Sequence, residues 1–313
     1  MEEWITIVIP VYNRAALVER TLRSVREQSV RPLRLILVDN GSTDDSLAVC
    51  RRFQQENRCA GFRIDIYEEP TPGANAARNR GLQAVESEWV LFLDSDDELV
   101  PEALSCIRAA VSRHPQAELV GFTAKRYRPD GRVTYKRRCF SSKPEDQIIY
   151  GMMGTSCFVS RTSLLRSVGG WDERLEAWQD WNLAIRLLMR QPKMVWIKRP
   201  FLVKLHEHAE SITGLAYAPN REKHFRSMEI TEACLADLPE PGRTRAIHYI
   251  HLKMLILAGL YRRERHRELA EETWQAFLRK VSPAAGKKGC YRLLFCYIGT
   301  GLPGGGTLAR WLF

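Results

Sequence analysis

Two aspartates, Asp94 and Asp96, follow directly on the apolar run Val90-Leu91-Phe92-Leu93, so a buried strand would deliver both carboxylates to one exit. A hard divalent cation that grips a diphosphate needs carboxylate oxygens at such a fixed point, with phosphate and water completing its shell. The string alone is a weak signal, because Asp is common wherever a strand ends in a turn. Its neighbour Asp97 has the plainer reading of a cap for a helix over about 101–114. Asp39 is a second acid after an apolar run, Leu33 to Val38, and Gly41 supplies the turn behind it. Its carboxylate can accept hydrogen bonds from a nucleobase edge or ribose hydroxyls. The capping alternative suits Ser42, Thr43 or Asp44 better. Farther on stand Gly73, Asn75, Arg78, Asn79 and Gly81, with the planar fork of Arg78 able to reach a base or phosphate. For any single one of these polar residues, a solvated helix face is the competing explanation.

Positioning such groups requires strands that end together. Short β-branched runs alternate with helix-length amphipathic stretches: Ile5 to Val11, Leu17 to Gln28, Leu33 to Val38, Ser46 to Gln55, Arg63 to Tyr67, Ala74 to Val85, Trp89 to Leu93 and Glu102 to Arg113. That order predicts an α/β fold with a mostly parallel sheet covered on both faces. Ligands of such sheets bind beyond the carboxyl ends of the strands. Asp39 and Asp94 to Asp97 fall at those ends, and so does Pro10-Val11-Tyr12-Asn13-Arg14. After about residue 115 the alternation loosens. Leu119 to Tyr127 and Val133 to Phe140 read as a hairpin around Arg128-Pro129-Asp130-Gly131. A strand at Cys157 to Ser160, helices over Thr162 to Val168 and Ala177 to Met189, and strands near Val195 and Leu202 follow, and from about 218 the chain reads as helical.

Five segments taken in order resemble the successive motifs of family-2 glycosyltransferases with the GT-A fold. They are Thr6-Ile7-Val8-Ile9-Pro10-Val11-Tyr12-Asn13-Arg14, Leu37 through Asp45, Gly73 through Gly81, Phe92-Leu93-Asp94-Ser95-Asp96-Asp97 and Gly170-Trp171-Asp172-Glu173. The resemblance spans about residues 4 to 212 and implies a Rossmann-like catalytic domain over 1–215, divided into a nucleotide-binding half, 1–115, and an acceptor half, 116–215. It implies a nucleoside pocket lined by Pro10, Tyr12 and Asp39, with Arg14, Arg78 and Ser95 in the nucleotide-binding set. Asp94 would meet the ribose or the metal, and Asp96 would ligate the Mn²⁺ or Mg²⁺ that bridges the diphosphate. Family members mostly carry two acids where this chain has Asp39-Asn40. They also place an acidic pair at the start of a helix after the Gly-Trp-Asp-Glu segment, where this chain has Gln179-Asp180. Asp180 then takes the general-base position, while capping is its structural alternative. With no like charge beside it, Asp180 escapes one push toward protonation, unless burial by Trp178 and Trp181 supplies another. His206 is a further metal or diphosphate candidate against a plain hydrogen-bonding role, and Ser211 could order the same loop.

The implied activity is inverting transfer of a sugar from a nucleoside-diphosphate donor, UDP by default, to an acceptor hydroxyl on a glycan or lipid-linked glycan of cell-surface polysaccharide synthesis. A nucleotidyltransferase that makes the sugar nucleotide is the competing enzyme class. The Gly-rich, Lys/Arg-bearing loop it would need after strand one is replaced by Tyr12-Asn13-Arg14.

The bulk properties agree with a globular enzyme: 313 residues, 45% hydrophobic and 27% charged. The net charge of +10 is concentrated late, with 13 Lys/Arg against 5 Asp/Glu from Glu240 to Phe313. That basic helical extension, 216–313, mixes Lys287 and Lys288 with Trp274, Phe277, Tyr291, Leu293 and Trp311. It reads either as an interfacial segment for an anionic membrane surface or as a packed helical subdomain. No nucleic-acid motif accompanies the charge. The eight cysteines show no metal-site spacing and read as reduced, mostly buried thiols. Met1-Glu2-Glu3-Trp4 lacks the character of a signal peptide, and the apolar run Met254 to Tyr261 is far short of the roughly 20 residues of a spanning helix. The expected location is cytoplasmic, with peripheral attachment to the inner face of the cell membrane.

Overall fold

The computed structural model describes residues 4–135, 140–207 and 216–312. Its elements in chain order begin with β1 (Ile5–Val11), α1 (Val18–Arg26), β2 (Leu33–Asp39), α2 (Ser46–Glu56), β3 (Phe62–Glu68), α3 (Ala74–Ala84), β4 (Trp89–Phe92), β5 (Glu98–Leu99) and α4 (Ala103–Arg113). Then come β6 (Leu119–Phe122), β7 (Ala124–Tyr127), β8 (Val133–Tyr135), α5 (Pro144–Tyr150), β9 (Phe158–Arg161), α6 (Thr162–Ser167), α7 (Gln179–Met189), β10 (Met194–Ile197) and β11 (Val203–His206). Helices α8 (Arg221–Cys234), α9 (Gly242–Arg263), α10 (Arg267–Val281), α11 (Ala285–Gly299) and α12 (Gly305–Leu312) complete it. The chain divides into two compact units, one of Met1–Ser142, Met153–Glu173 and Arg190–His208, the other of Lys143–Met152, Arg174–Met189 and Ala209–Phe313. Residues 143–152 and 174–189, read in sequence as parts of the first domain, thus cluster with the helical region.

In the first unit a seven-stranded sheet runs β10-β6-β9-β4-β1-β2-β3. It is parallel except for β9, which pairs antiparallel with β4 and β6. Both faces of β1 and β2 are buried, as their nearly continuous apolar runs require, with Thr6 and the Asp65-paired Arg34 as buried polar exceptions, whereas edge strand β3 alternates. Val11 pairs with Asp39 and Val8 with Phe92, so the carboxyl ends of these strands open on one edge. Helix α3 lies against that sheet so closely that a Cβ on Gly81 would stand 2.3 Å from a Val8 methyl; only glycine fits.

The hairpin around residues 128–131 forms, but its first arm is divided. Leu119–Phe122 belongs to the large sheet, while Ala124–Tyr127 pairs with β8 in a second sheet ordered β5-β11-β7-β8. The second arm beyond Tyr135 lies partly outside the described residues, as does Ser211. Helix α4 starts at Ala103, with no side chain capping it, so Asp97 does not serve as its cap.

The second unit has a core of its own, built from α5, α7 and α8 to α12 and including Trp181, Tyr249, Leu255, Trp274, Phe277 and Phe295. Trp274, Phe277, Tyr291, Leu294 and Ile298 therefore face inward; among the described residues the large apolar side chains left exposed on this unit are Tyr217, Leu293, Leu302, Trp311 and Leu312. Among the described residues no helix is long and apolar enough to cross a membrane. Of the described cysteines only Cys50 and Cys157 are buried, fewer than their composition suggested.

Candidate active site

The loops after β1 and β2 are laced together. Asn13, in the left-handed region at φ 48°, accepts from the Thr43 amide at 2.8 Å and its own amide donates to the Ser42 hydroxyl. The Arg14 amide donates to Ser46 Oγ, and Asp44 accepts from the amides of Ala15 and Ser46, a cap-like role at the start of α2. Pro10 is buried inside β1, whereas the Tyr12 ring, just past the strand, is 57% exposed.

Asp39 closes β2. One carboxylate oxygen accepts from the amides of Gly41 and Ser42 at 3.2 and 3.1 Å, which fixes the side chain. The other oxygen, Oδ1, is buried and has no hydrogen-bond partner among the described residues. A buried acceptor left in that state costs free energy until a donor reaches it. Burial, then the nearby charge of Asp39, pushes the Cys50 thiol up to about 12, so this cysteine is inert as a nucleophile.

Asn40 occupies the position where an acid was expected from the resemblance. Its amide nitrogen donates to the carbonyls of Glu69 and Thr71 at 2.9 and 2.7 Å, and its oxygen accepts from the Gly73 amide. The segment linking β3 to α3 hangs on this one side chain. A carboxylate could donate to neither carbonyl.

The polar residues of α3 are not a solvated face: Asn75 and Arg78 are 2% and 4% exposed. Asn79 accepts from the Trp171 amide and donates to the Trp171 carbonyl and to Glu173, and Asn75 donates to the Asp172 carbonyl. Two of the five motifs are thereby bound to each other. A Cβ at Gly170, whose φ is +68°, would come within 2.7 Å of the Asn79 side chain, so the turn needs glycine. Arg78 lies over the Trp171 ring at 4.5 Å and reaches Asp94 at 2.8 Å. The arginine thus holds a carboxylate of the β4 exit, and its fork also donates to Asn75 Oδ1 at 3.0 Å.

The β4 exit is densely acidic. The Ser95 and Asp96 carbonyls accept from Thr21 and Arg20 of α1, which secures the backbone of the turn. Asp97 is buried, accepting from Ser156 Oγ at 2.7 Å and from the His206 amide at 3.2 Å. Burial foremost, then the charges of Asp94 and Asp96, raise its carboxyl well above the usual carboxylate range. Glu98 gathers Arg20, Lys204 and His206 Nε2, the last at 2.7 Å. Burial and the Arg20 charge lower the His206 pKa, and its ring stacks on Tyr127 with centroids 5.3 Å apart. The imidazole nitrogen that faces Glu98 is engaged by it. Arg20, Glu98 and Ser156 carried no signal in the sequence beyond their residue types.

These residues suit a hard divalent cation of the kind held jointly with a diphosphate. Among the described residues no three His, Cys, Asp or Glu side chains are grouped to cage a metal by themselves. Asp94 and Asp96 offer two half-buried carboxylates, the number such a cation takes from protein when phosphates fill the rest of its shell.

Asp180 belongs to the second unit. It stands in the first turn of α7, with Oδ1 accepting from the Trp181 amide at 2.8 Å. Trp178 precedes the helix in a left-handed conformation, φ 53°, and accepts from the Asn182 amide. Gln179, where an acidic neighbour was expected, donates to the Leu175 carbonyl at 3.2 Å.

Comparison with known proteins supports the assignment these features point to. The sequence model of glycosyl transferase family 2 matches residues 6–168, just over half the chain. A PGL/p-HBAD biosynthesis glycosyltransferase of Mycobacterium bovis BCG is 28% identical over 186 residues, covering 58% of this chain and 68% of that protein. The GalNAc(5)-diNAcBac-PP-undecaprenol beta-1,3-glucosyltransferase of Campylobacter jejuni is 34% identical over 104 residues, 33% of this chain and 33% of that protein. In structure, S. aureus TarS 1-349 in complex with UDP-GlcNAc is similar with a TM-score of 0.67 at 17% identity, covering 98% of this chain and 91% of that one. A longer TarS chain is spanned over 43% of its length. The mannosyltransferase PcManGT of Pyrobaculum calidifontis, in complex with GDP-Man and Mn²⁺, gives a TM-score of 0.58 at 17% identity, covering 99% and 87%. The chain therefore belongs to glycosyltransferase family 2 and is a transferase enzyme built on the GT-A fold.

Proposed function

We propose that the protein transfers a sugar, with inversion, from a nucleoside-diphosphate donor, UDP-linked, to a hydroxyl of a glycan or lipid-linked glycan in cell-surface polysaccharide synthesis. The observation that carries this reading is the grouping at one sheet edge of a buried, half-unpartnered Asp39 carboxylate with the acidic exit Asp94 to Asp97. Nucleoside and diphosphate ask for those two features at the carboxyl ends of the central strands, here β2 and β4 on either side of β1. In this reading Asp39 receives a donor group of the base, the Tyr12 ring and Pro10 border it, and Arg14, Arg78 and Ser95 shape the nucleotide site. Arg78 acts by orienting Asp94. Asp96, with Asp94 beside it and His206 as the weaker candidate, would hold Mn²⁺ or Mg²⁺, which when bound offsets charge on the departing diphosphate. Asp180 takes the acceptor proton as general base while the freed oxygen attacks the anomeric carbon opposite the leaving group.

The acceptor class draws support from the undecaprenol-linked substrate in the name of the Campylobacter relative. An acceptor of that kind lies at a membrane, and exposed Leu293, Leu302 and Trp311, together with exposed Lys287 and Lys288 of the same C-terminal region, suit a peripheral site on an anionic leaflet at the cytoplasmic face. Incubation with a panel of nucleotide sugars and Mn²⁺, following free nucleoside diphosphate, tests the activity; pyrophosphate as product would mean nucleotidyl transfer instead. Asp180→Asn is expected to keep UDP binding and lose transfer, and near-normal turnover would remove the base assignment.

A further inference from the structure

Helix α8 buries a face that is polar. His224, Ser227 and Thr231, three and four residues apart, are 1%, 1% and 0% exposed. A packed helix face is ordinarily apolar, and each buried polar group costs stability unless it is used. All three side chains bear on the same short stretch, the serine and threonine through hydrogen bonds and the histidine through its ring face. The Ser227 hydroxyl lies 2.7 Å from the Ala177 carbonyl, the Thr231 hydroxyl accepts from the Asn182 amide nitrogen at 2.9 Å, and the His224 ring stacks on Trp178 at 4.3 Å and 20°. The gripped residues, 177, 178 and 182, bracket Asp180.

The stretch needs holding. Trp178 adopts a left-handed backbone conformation that is strained for a bulky residue and persists only where its surroundings over-determine it. Besides His224, the Trp181 ring lies 5.2 Å from Trp178 and the Lys253 ammonium 5.4 Å from its centre. Trp181 is anchored in turn by its indole N–H, which donates to the Ile148 carbonyl at 2.9 Å. The backbone of Trp178 sets the direction in which the first turn of α7 leaves, and with it the direction of the Asp180 carboxylate.

We infer that the buried polar face of α8 is a positioning device for the general base, with His224, Ser227 and Thr231 acting on turnover through the placement of Asp180. The inference rests on the reading of Asp180 as base. Misplacing a reacting group by an ångström can cost about a hundredfold in rate.

The test uses the full chain with Mn²⁺ and UDP-GlcNAc, UDP-glucose and UDP-galactose, following UDP release by hydrolysis, in which water replaces the acceptor. Calorimetry with UDP reports the donor site separately. The Ser227→Ala/Thr231→Val pair is expected to lower kcat by about tenfold to a hundredfold with the donor KM and UDP affinity unchanged. Added to Asp180→Asn, the same pair should lower the rate no further, because residues that act through one group are not additive. His224→Ala should lower kcat, and His224→Phe, which keeps a flat ring against Trp178, should restore it; this comparison decides should the double variant not fold. Equal losses with and without Asp180, a parallel loss of UDP affinity, or no difference between the His224 variants would overturn the positioning role. Asp180→Asn retaining its rate, or no donor showing Asp180-dependent release, would instead overturn the base reading beneath it.

Discussion

Acidification from pH 7 to pH 5 should withdraw a definite contribution that one side chain makes to the stability of the fold. His224 is 1% exposed, its Nδ1 has no hydrogen-bond partner among the described residues, and burial first, then the Lys253 charge, lowers its pKa to about 4. Unfolded, it returns to about 6.5. Between those values the unfolded chain binds a proton that the folded chain refuses, so stability rises with pH across the interval. The contribution is complete above about pH 6.5 and is lost as pH falls toward about 4. The full span corresponds to about 3 kcal/mol, of which about 2 kcal/mol is gone by about pH 5. His248 and His206 are also shifted down, chiefly by burial, and add in the same direction. The His224 share is therefore read as a difference. Urea unfolding followed by tryptophan fluorescence, for the native chain and His224→Phe between pH 7 and pH 5, should show the native chain losing about 2 kcal/mol more. Parallel pH curves for the two proteins would refute the claim that His224 is held neutral.

Three further outcomes follow from the first unit and the exposed tail. Asp96→Ala should remove the Mn²⁺ dependence of UDP binding, so that the Kd measured with Mn²⁺ equals that in EDTA. Asn40→Asp loses two donated hydrogen bonds and sets a charge against the carbonyls of Glu69 and Thr71; urea unfolding should register a loss of about 2 kcal/mol or more, with UDP affinity weakened. Leu302→Ser/Trp311→Ser should release the protein from vesicles containing anionic lipid; equal flotation on neutral and anionic vesicles would reject a charge-assisted site. Point changes are needed there, because truncating near residue 282 would remove Tyr291, Leu294 and Phe295 from the core of the helical unit.

The strand-helix alternation was legible because β1, β2 and β4 are buried on both faces and so carry nearly continuous apolar runs. Asp39 and the acidic exit of β4 were legible for a related reason, since a parallel sheet can show its polar residues only at its ends. The division of residues 119–127 at Thr123 was not, because both halves have strand composition and only their partners differ. Asp97 looked like a cap while its true partners, Ser156 and His206, lay far along the chain. Asn75, Arg78 and Asn79 were recognisable as a set, but not as the residues that fasten the Gly170 to Glu173 turn. The face of α8 was the least visible: in sequence, His224, Ser227 and Thr231 are indistinguishable from a solvated helix.

In the proposed nucleotide site, the unpartnered oxygen of Asp39 would act as a filter among nucleobases. Its twin oxygen is held by two backbone amides, so this buried oxygen is a pure acceptor that cannot turn aside. Uracil and guanine present a ring N–H along the corresponding edge; cytosine and adenine present a bare ring nitrogen, and lone pair would face lone pair. Discrimination of this kind comes from the penalty on the wrong ligand more than from the gain with the right one, and it is steep where a buried polar group is left unpaired. UDP and GDP should therefore compete for the site, while CDP and ADP remain outside it at concentrations that saturate the others.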